Sequence, residues 1–277
     1  FTVYRTPKGD LVHKRERTNI TSATVEFPLK TADDIEKLLS IPFEASEPDP
    51  TLFLELKQNT GEEALVLAGI ATAVCLPATW FSPEDFCFLW ADAPDAMREL
   101  VNVAASRLND FVAKACAMGV TEYRLVGGEY VTTQLGPSAV PSLLSEPDDE
   151  LVSIIHRHGG LAYYHNHGPI MRFLPALADL EIDFLDPLES PPFADADLRE
   201  ARRILGDRVC MVGNLDDMEV TNQRPVAEVK AMAVQRLEAA GSRGFCLGGT
   251  ASGTYTEHGA RNFMAMVEVA EAFGWQE

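Results

Sequence analysis

Leu161-Ala162-Tyr163-Tyr164-His165-Asn166-His167-Gly168 is the stretch on which the reading of this chain turns. Small or apolar residues alternate with aromatic ones, as in a strand packed between layers, and two histidines then arrive with one residue between them. Gly168-Pro169 stops the run, so the imidazoles stand where a strand ends. Four of the six histidines, His156, His158, His165 and His167, fall in this neighbourhood.

Working outward, a helical pattern over Asp148–His158 precedes the stretch and another over Ile170–Leu180 follows it. The rhythm then continues through strand Ile182–Leu185, helix Asp197–Leu205, strand Val209–Val212, helix Pro225–Ala240, strand Gly244–Leu247 and a closing helix, Ala260–Phe273. Upstream stand strand Glu122–Val126, a long helix opened by Pro94 and ended by Gly119, a helix starting at Ser82 or Pro83, and an apolar strand over Leu65–Ile70. Before these come a helical run to Gln58 that follows a break at Pro48–Pro50, a helix Ala32–Leu39 capped by Thr31, and short strands about a turn at Pro7–Asp10. Six strands alternating with helices predict βαβ units around a parallel sheet. The expected fold is α/β, a single (β/α)8 TIM-type barrel domain over residues 1–277, with some N-terminal sequence preceding Phe1; a doubly wound sheet is the alternative. No GxGxxG or GxxxxGK[ST] motif occurs, which counts against dinucleotide and P-loop nucleotide binding.

Composition narrows the partners. The 277 residues are 46% hydrophobic and 23% charged, with a formal net charge of -19, so a globular protein that binds neither nucleic acid nor anionic membrane is expected. Five scattered cysteines without a CxxC pair point to a reducing cytoplasm.

A parallel barrel keeps its active site at the C-terminal ends of its strands. The residues there are Glu129 and Tyr130; then His165, Asn166 and His167; then Asp186 and Glu189; then Asn214 with Asp216 and Asp217; and finally Gly248, Gly249, Thr250 and Ser252. His165 and His167 at a strand end can reach one zinc ion, with Glu129 as a further ligand, or they can serve as structural hydrogen-bonding groups. His156 and His158, near a helix C-terminus, read as structural or solvated. Asp186 and Glu189 form an acid/base pair or, the favoured reading, bind backbone amides in a loop stiffened by Pro187, Pro191 and Pro192. Cys246 reads as a core residue.

The segments His165-Asn166-His167-Gly168-Pro169, Leu185-Asp186-Pro187-Leu188-Glu189 and Gly206-Asp207-Arg208-Val209 leading to Gly213-Asn214-Leu215-Asp216 resemble the uroporphyrinogen decarboxylase superfamily. That resemblance implies a (β/α)8 barrel and one of two activities, the haem-pathway decarboxylase or a zinc-dependent methyltransferase that exchanges methyl groups with a corrinoid. The decarboxylase resembles Leu-Gly-His-Gly after its last strand, whereas Gly249 stands here in the histidine's place. The methyltransferases resemble His-x-Cys on the middle strand with a later Cys; here the pair is His165 and His167, and Ala251 or a neighbour stands for the later Cys.

The resemblance therefore implies methyl transfer between a small oxygenated substrate and a corrinoid protein. His165 and Glu129 would be catalytic, and His165, His167 and Glu129 would hold zinc. Tyr130, Tyr163, Asn166, Glu189, Asn214, Gly249 and Thr250 would meet the substrate, and a homodimer is expected. Two readings stand beside it, a uroporphyrinogen decarboxylase with a rebuilt site and a ligand-binding barrel without chemistry.

Overall fold

The computed structural model describes residues 1–19, 21–241, 243–250 and 255–274. Strands β1 (Thr2–Thr6), β2 (Gly9–Arg17) and β3 (Ser22–Glu26) form an antiparallel sheet in that order. Helix α1 (Ala32–Leu39) follows, started by a capping box between Thr31 and Asp34, and α2 (Thr51–Thr60) comes next. Leu11 of β2 is buried in the main core and Tyr4 packs on Trp80, which ties this small sheet to the rest.

The parallel sheet begins with β4 (Ala68–Ala71), followed by the short α3 (Cys75–Ala78), α4 (Pro83–Asp92) and the long α5 (Pro94–Ala117). Regular alternation then sets in: β5 (Glu122–Val126), α6 (Glu146–Arg157), β6 (Leu161–His165), α7 (Leu174–Asp179), β7 (Phe184–Asp186), α8 (Leu198–Leu205), β8 (Cys210–Leu215), α9 (Val226–Ala240), β9 (Phe245–Gly249) and α10 (Glu257–Phe273). The six strands β4 to β9 lie in sequential order, all parallel, as βαβ units give when each new strand is added at the same edge.

All six parallel strands read from the sequence are present, but the eight-stranded closure is not: among the described residues β4 and β9 remain the two edges of the sheet. Two boundaries also differ. The first parallel strand is Ala68–Ala71 rather than Leu65–Ile70, because pairing with Tyr123–Val126 begins only at Ala68 and Leu65 is exposed. Between β5 and α6, where the sequence showed no periodicity, the chain runs through single π and 3-10 turns, Tyr130–Leu135, Pro137–Ala139 and Pro141–Ser145.

The side-chain period of two divides the sheet into two faces. Tyr123, Leu125, Tyr164, Leu185 and Met211 are buried among the helices. Arg124, Tyr163, His165 and Asp186 alternate with them and line the other face. Cys246 belongs to that second face and is exposed, not a core residue, because β9 is an edge strand. No helix among the described residues is long and apolar enough to cross a membrane.

Candidate active site at the ends of β6 and β7

The pairing of β6 with β7 sets His165 opposite Asp186. Asp186 Oδ2 lies 2.7 Å from His165 Nδ1, while Arg124 reaches in from β5 with Nη2 at 2.8 Å from the same nitrogen and 3.5 Å from Asp186 Oδ2. The guanidinium can only donate and the carboxylate can only accept. Nδ1 can serve only one of these neighbours: with the proton there the ring donates to Asp186, no lone pair faces the carboxylate, and Arg124 donates to the same carboxylate rather than to the ring. Nε2 of His165 is then the ring's acceptor. His165 is itself almost entirely buried, so this ring is held in one orientation.

His167 has its own carboxylate. Its Nδ1 lies 3.2 Å from Glu189 Oε1, and Glu189 Oε2 accepts from the Gly168 backbone N–H at 2.6 Å. The hydrogen bond to Glu189 raises the His167 pKa above its ordinary value, against a downward pull from burial. Burial works on Glu189 in the opposite sense, but its bonds from His167 and Gly168 together hold it below the usual carboxylate range. The two imidazoles meet edge to face with centroids 4.6 Å apart. The site therefore holds two carboxylate-backed histidines side by side. Glu189 binds a backbone amide, that of Gly168, together with a ring nitrogen, whereas the Asp186 carboxylate binds side chains.

Other predicted residues surround this pair at different depths. Tyr163 sits half-buried, stacked on Phe184 at 5.3 Å, with its phenol pushed up chiefly by burial and then by Asp186. Glu129 starts the π turn Tyr130–Leu135, and its Oε2 is buried without a hydrogen-bond partner. Tyr130 packs against Phe86 and lines a cavity of about 250 Å³ with Phe81 and Pro83, apart from the histidines. Asn166 is fully buried, its amide bonded to Thr132 and to the His167 carbonyl, so the expected substrate contact becomes a structural one. Gly128 makes that possible, because a Cβ there would collide with Asn166 and Tyr164. Asn214 is likewise buried, and its Nδ2 donates to the Leu188 carbonyl at 2.6 Å, fastening the β7 loop to β8.

At Gly249 the carboxylate of Asp217 occupies the space a Cβ would need, and Tyr255 donates its hydroxyl to Asp217 Oδ2 at 2.9 Å. Thr250 is buried next to it in sequence, whereas Ala251, Ser252 and Gly253 lie outside the described residues.

Zinc on His165, His167 and Glu129 requires three donors around one point. Carboxylates on both Nδ1 atoms are what metal-binding histidines commonly have, and Glu129 has an orphaned oxygen. Among the described residues, however, no three His, Cys, Asp or Glu side chains stand close enough to hold a metal ion. As arranged, the donor set does not fit a three-ligand site.

Two residues of consequence were not read from the sequence. Arg124 was the more accessible, as a charged residue at an inward position of an alternating strand. Asp148 is fully buried and accepts from the Tyr164 hydroxyl at 2.7 Å; burial pushes its carboxyl up to about 7, against that bond and one from the Ala73 backbone. Asp217, already placed at a strand end by the sequence, gains its role from the contact with Gly249.

Comparison by sequence with curated proteins gives no match. Among solved structures, the chain is similar to a methyltransferase from Methanosarcina mazei, with a TM-score of 0.68 over 95% of this chain and 75% of that one. At 14% identity this likeness shows the fold alone. A family profile described as uroporphyrinogen decarboxylase (URO-D) matches residues 18–273. With almost the whole chain inside that match and its parallel α/β fold in agreement, the protein belongs to the uroporphyrinogen decarboxylase family.

Proposed function

We propose that this family member transfers a methyl group between a small oxygenated substrate and a corrinoid carried by a partner protein. The observation that carries the reading is the pair of carboxylate-backed imidazoles, His165–Asp186 and His167–Glu189, at the strand ends where barrel enzymes place their chemistry. His167, its pKa raised by Glu189, is the proton donor, and His165, fixed by Asp186 with Nε2 as acceptor, orients the substrate's oxygen or receives a proton. When the methyl–oxygen bond breaks, its electron pair stays on oxygen and His167 supplies the proton. The corrinoid supplies the methyl acceptor or donor when its protein docks.

Two further points support methyl transfer over decarboxylation. The similar solved structure is a methyltransferase. The Asp217 carboxylate leaves no room for a histidine side chain at Gly249, where the decarboxylase resembles one.

Zinc remains part of the proposal on one condition, that a third donor moves toward the Nε2 atoms of His165 and His167. Metal analysis of purified protein decides that point, since below about a tenth of an equivalent, without recovery on adding zinc, the metal is excluded. The reading itself is tested by methyl transfer from methoxylated substrates to a corrinoid protein, with His165→Ala and His167→Ala as variants. Activity that survives both changes ends it, as does formation of coproporphyrinogen from uroporphyrinogen.

A further inference from the structure

Arg236 lies on α9 with its guanidinium half-buried, and its Nε is shielded from solvent without any hydrogen-bond partner. Among the described residues no carboxylate pairs with it, and burial alone lowers its pKa. A buried guanidinium N–H left without an acceptor is costly, and such groups call for a partner. The isolation is notable in a chain whose net charge is -19. Of the acids that line a neighbouring cavity with Arg236, Asp216 accepts from the Glu219 backbone N–H at 2.6 Å, Glu228 lies 3.8 Å from Arg224, and Glu219 forms no ion pair with Arg236 among the described residues.

Arg236 walls a cavity of about 220 Å³ between α8, α9 and the loop after β7. Arg199, in the first turn of α8, lines the same cavity, and it too has no ion pair among the described residues. Asp197 is the one acid in the lining, and its Oδ1 is committed to the backbone N–H groups of Arg199 and Glu200. Ser190 and Asn214 complete the polar wall, with the Ser190 hydroxyl donating to the Asn214 carbonyl at 3.3 Å. None of His165, His167, Asp186 or Glu189 lines this cavity.

We infer that the cavity between α8 and α9 is a binding site for a small oxyanion, of phosphate or short-carboxylate size, held by Arg236 and Arg199. A guanidinium presents a planar fork that matches two oxygens of a carboxylate or phosphate, and the pairing strengthens as water is excluded. The volume admits a few heavy atoms, which excludes a tetrapyrrole or a corrinoid as occupant. The site borders Ser190, the residue after Glu189, so an occupant braces the segment that carries the carboxylate of His167.

The test is a thermal titration of the full chain in phosphate-free buffer, comparing sodium phosphate, sodium acetate and sodium chloride at equal ionic strength. Phosphate, acetate or both raise the melting temperature saturably over chloride, by roughly 2–4 °C. Whichever anion acts identifies the preferred chemistry. Arg236→Met removes that saturable rise, and Arg199→Met weakens it. Without added anion, Arg236→Met melts no lower than the parent, because a half-buried guanidinium with an unsatisfied N–H has been replaced by an apolar stem. A rise no larger than chloride gives, an equal rise in Arg236→Met, or a lower melting point of that variant without anion overturns the inference. Equilibrium dialysis of the unmodified protein against labelled phosphate and labelled acetate gives an independent reading, with about one equivalent of one of them expected and none of either overturning it.

Discussion

Asp186 Oδ2 lies 2.7 Å from Nδ1 of His165 and so fixes which nitrogen of that ring can meet a substrate. Replacing Asp186 by Asn keeps the shape but lets the ring adopt the other tautomer. Asp186→Asn is expected to lower kcat by roughly 10²–10⁴-fold with the melting temperature almost unchanged. A steady-state assay beside a thermal melt checks this, and a variant retaining full kcat would remove His165 from the chemistry.

The His167–Glu189 pair has a defined pH window. His167 is raised from its ordinary 6.5, so its contribution to stability is full below 6.5 and is lost as pH rises through the raised value. Glu189 is lowered from its ordinary 4.5, so its contribution is full above 4.5 and is lost as pH falls through the lowered value. Both are charged between those limits. Glu189→Gln should return the His167 titration toward 6.5 and move the alkaline limb of activity to lower pH, as followed by NMR of the ring protons and a pH–rate profile.

Asp148 behaves oppositely to a surface carboxylate. Its folded pKa, raised from 3.8 to about 7, means that its contribution is full below about 4 and is lost as pH rises through 7. Asp148→Asn keeps an acceptor for the Tyr164 hydroxyl and cannot ionise. The variant is expected to melt at least as high as the parent at pH 8 and to lose its advantage near pH 5, measured as a melting curve at each pH.

Gly249 and Asp217 should be energetically coupled. Gly249→Ala forces the Asp217 carboxylate away from Tyr255 and costs roughly 1–3 kcal/mol by overpacking. In Asp217→Ala the same glycine change costs little. A double-mutant cycle in denaturant reads the coupling directly, and additive effects would contradict the contact.

The fold was legible because all six parallel strands announce themselves as short apolar or alternating runs between helices. The alternation of Glu122-Tyr123-Arg124-Leu125-Val126 even marks which side chains face the mouth. The histidines were found for the same reason, at the end of a strand beside Gly168. What escaped was pairing across distance. Asp186 looked like a loop acid because nothing local shows that β7 sets it beside His165, twenty-one residues away in sequence. Asn166 and Asn214 sit at strand ends as substrate-binding residues do, but their amides are consumed by Thr132, the His167 carbonyl and the Leu188 carbonyl. The closed barrel was inferred from rhythm, which counts units but does not pair the first strand with the last.

Tyr164 and His165 are consecutive, yet one meets Asp148 within the helical layer and the other meets Asp186 at the mouth. A shift of β6 by one position would exchange them, placing the imidazole among the helices and the phenol over the substrate. The chain is fastened against that shift just beyond the strand, where the Asn166 N–H donates to the Asp186 carbonyl at 2.7 Å. Lengthening or shortening β6 by a single residue is therefore a functional deletion even where the protein still folds, whereas the exposed Gly159 corner before it can absorb an insertion without altering the phase of the strand.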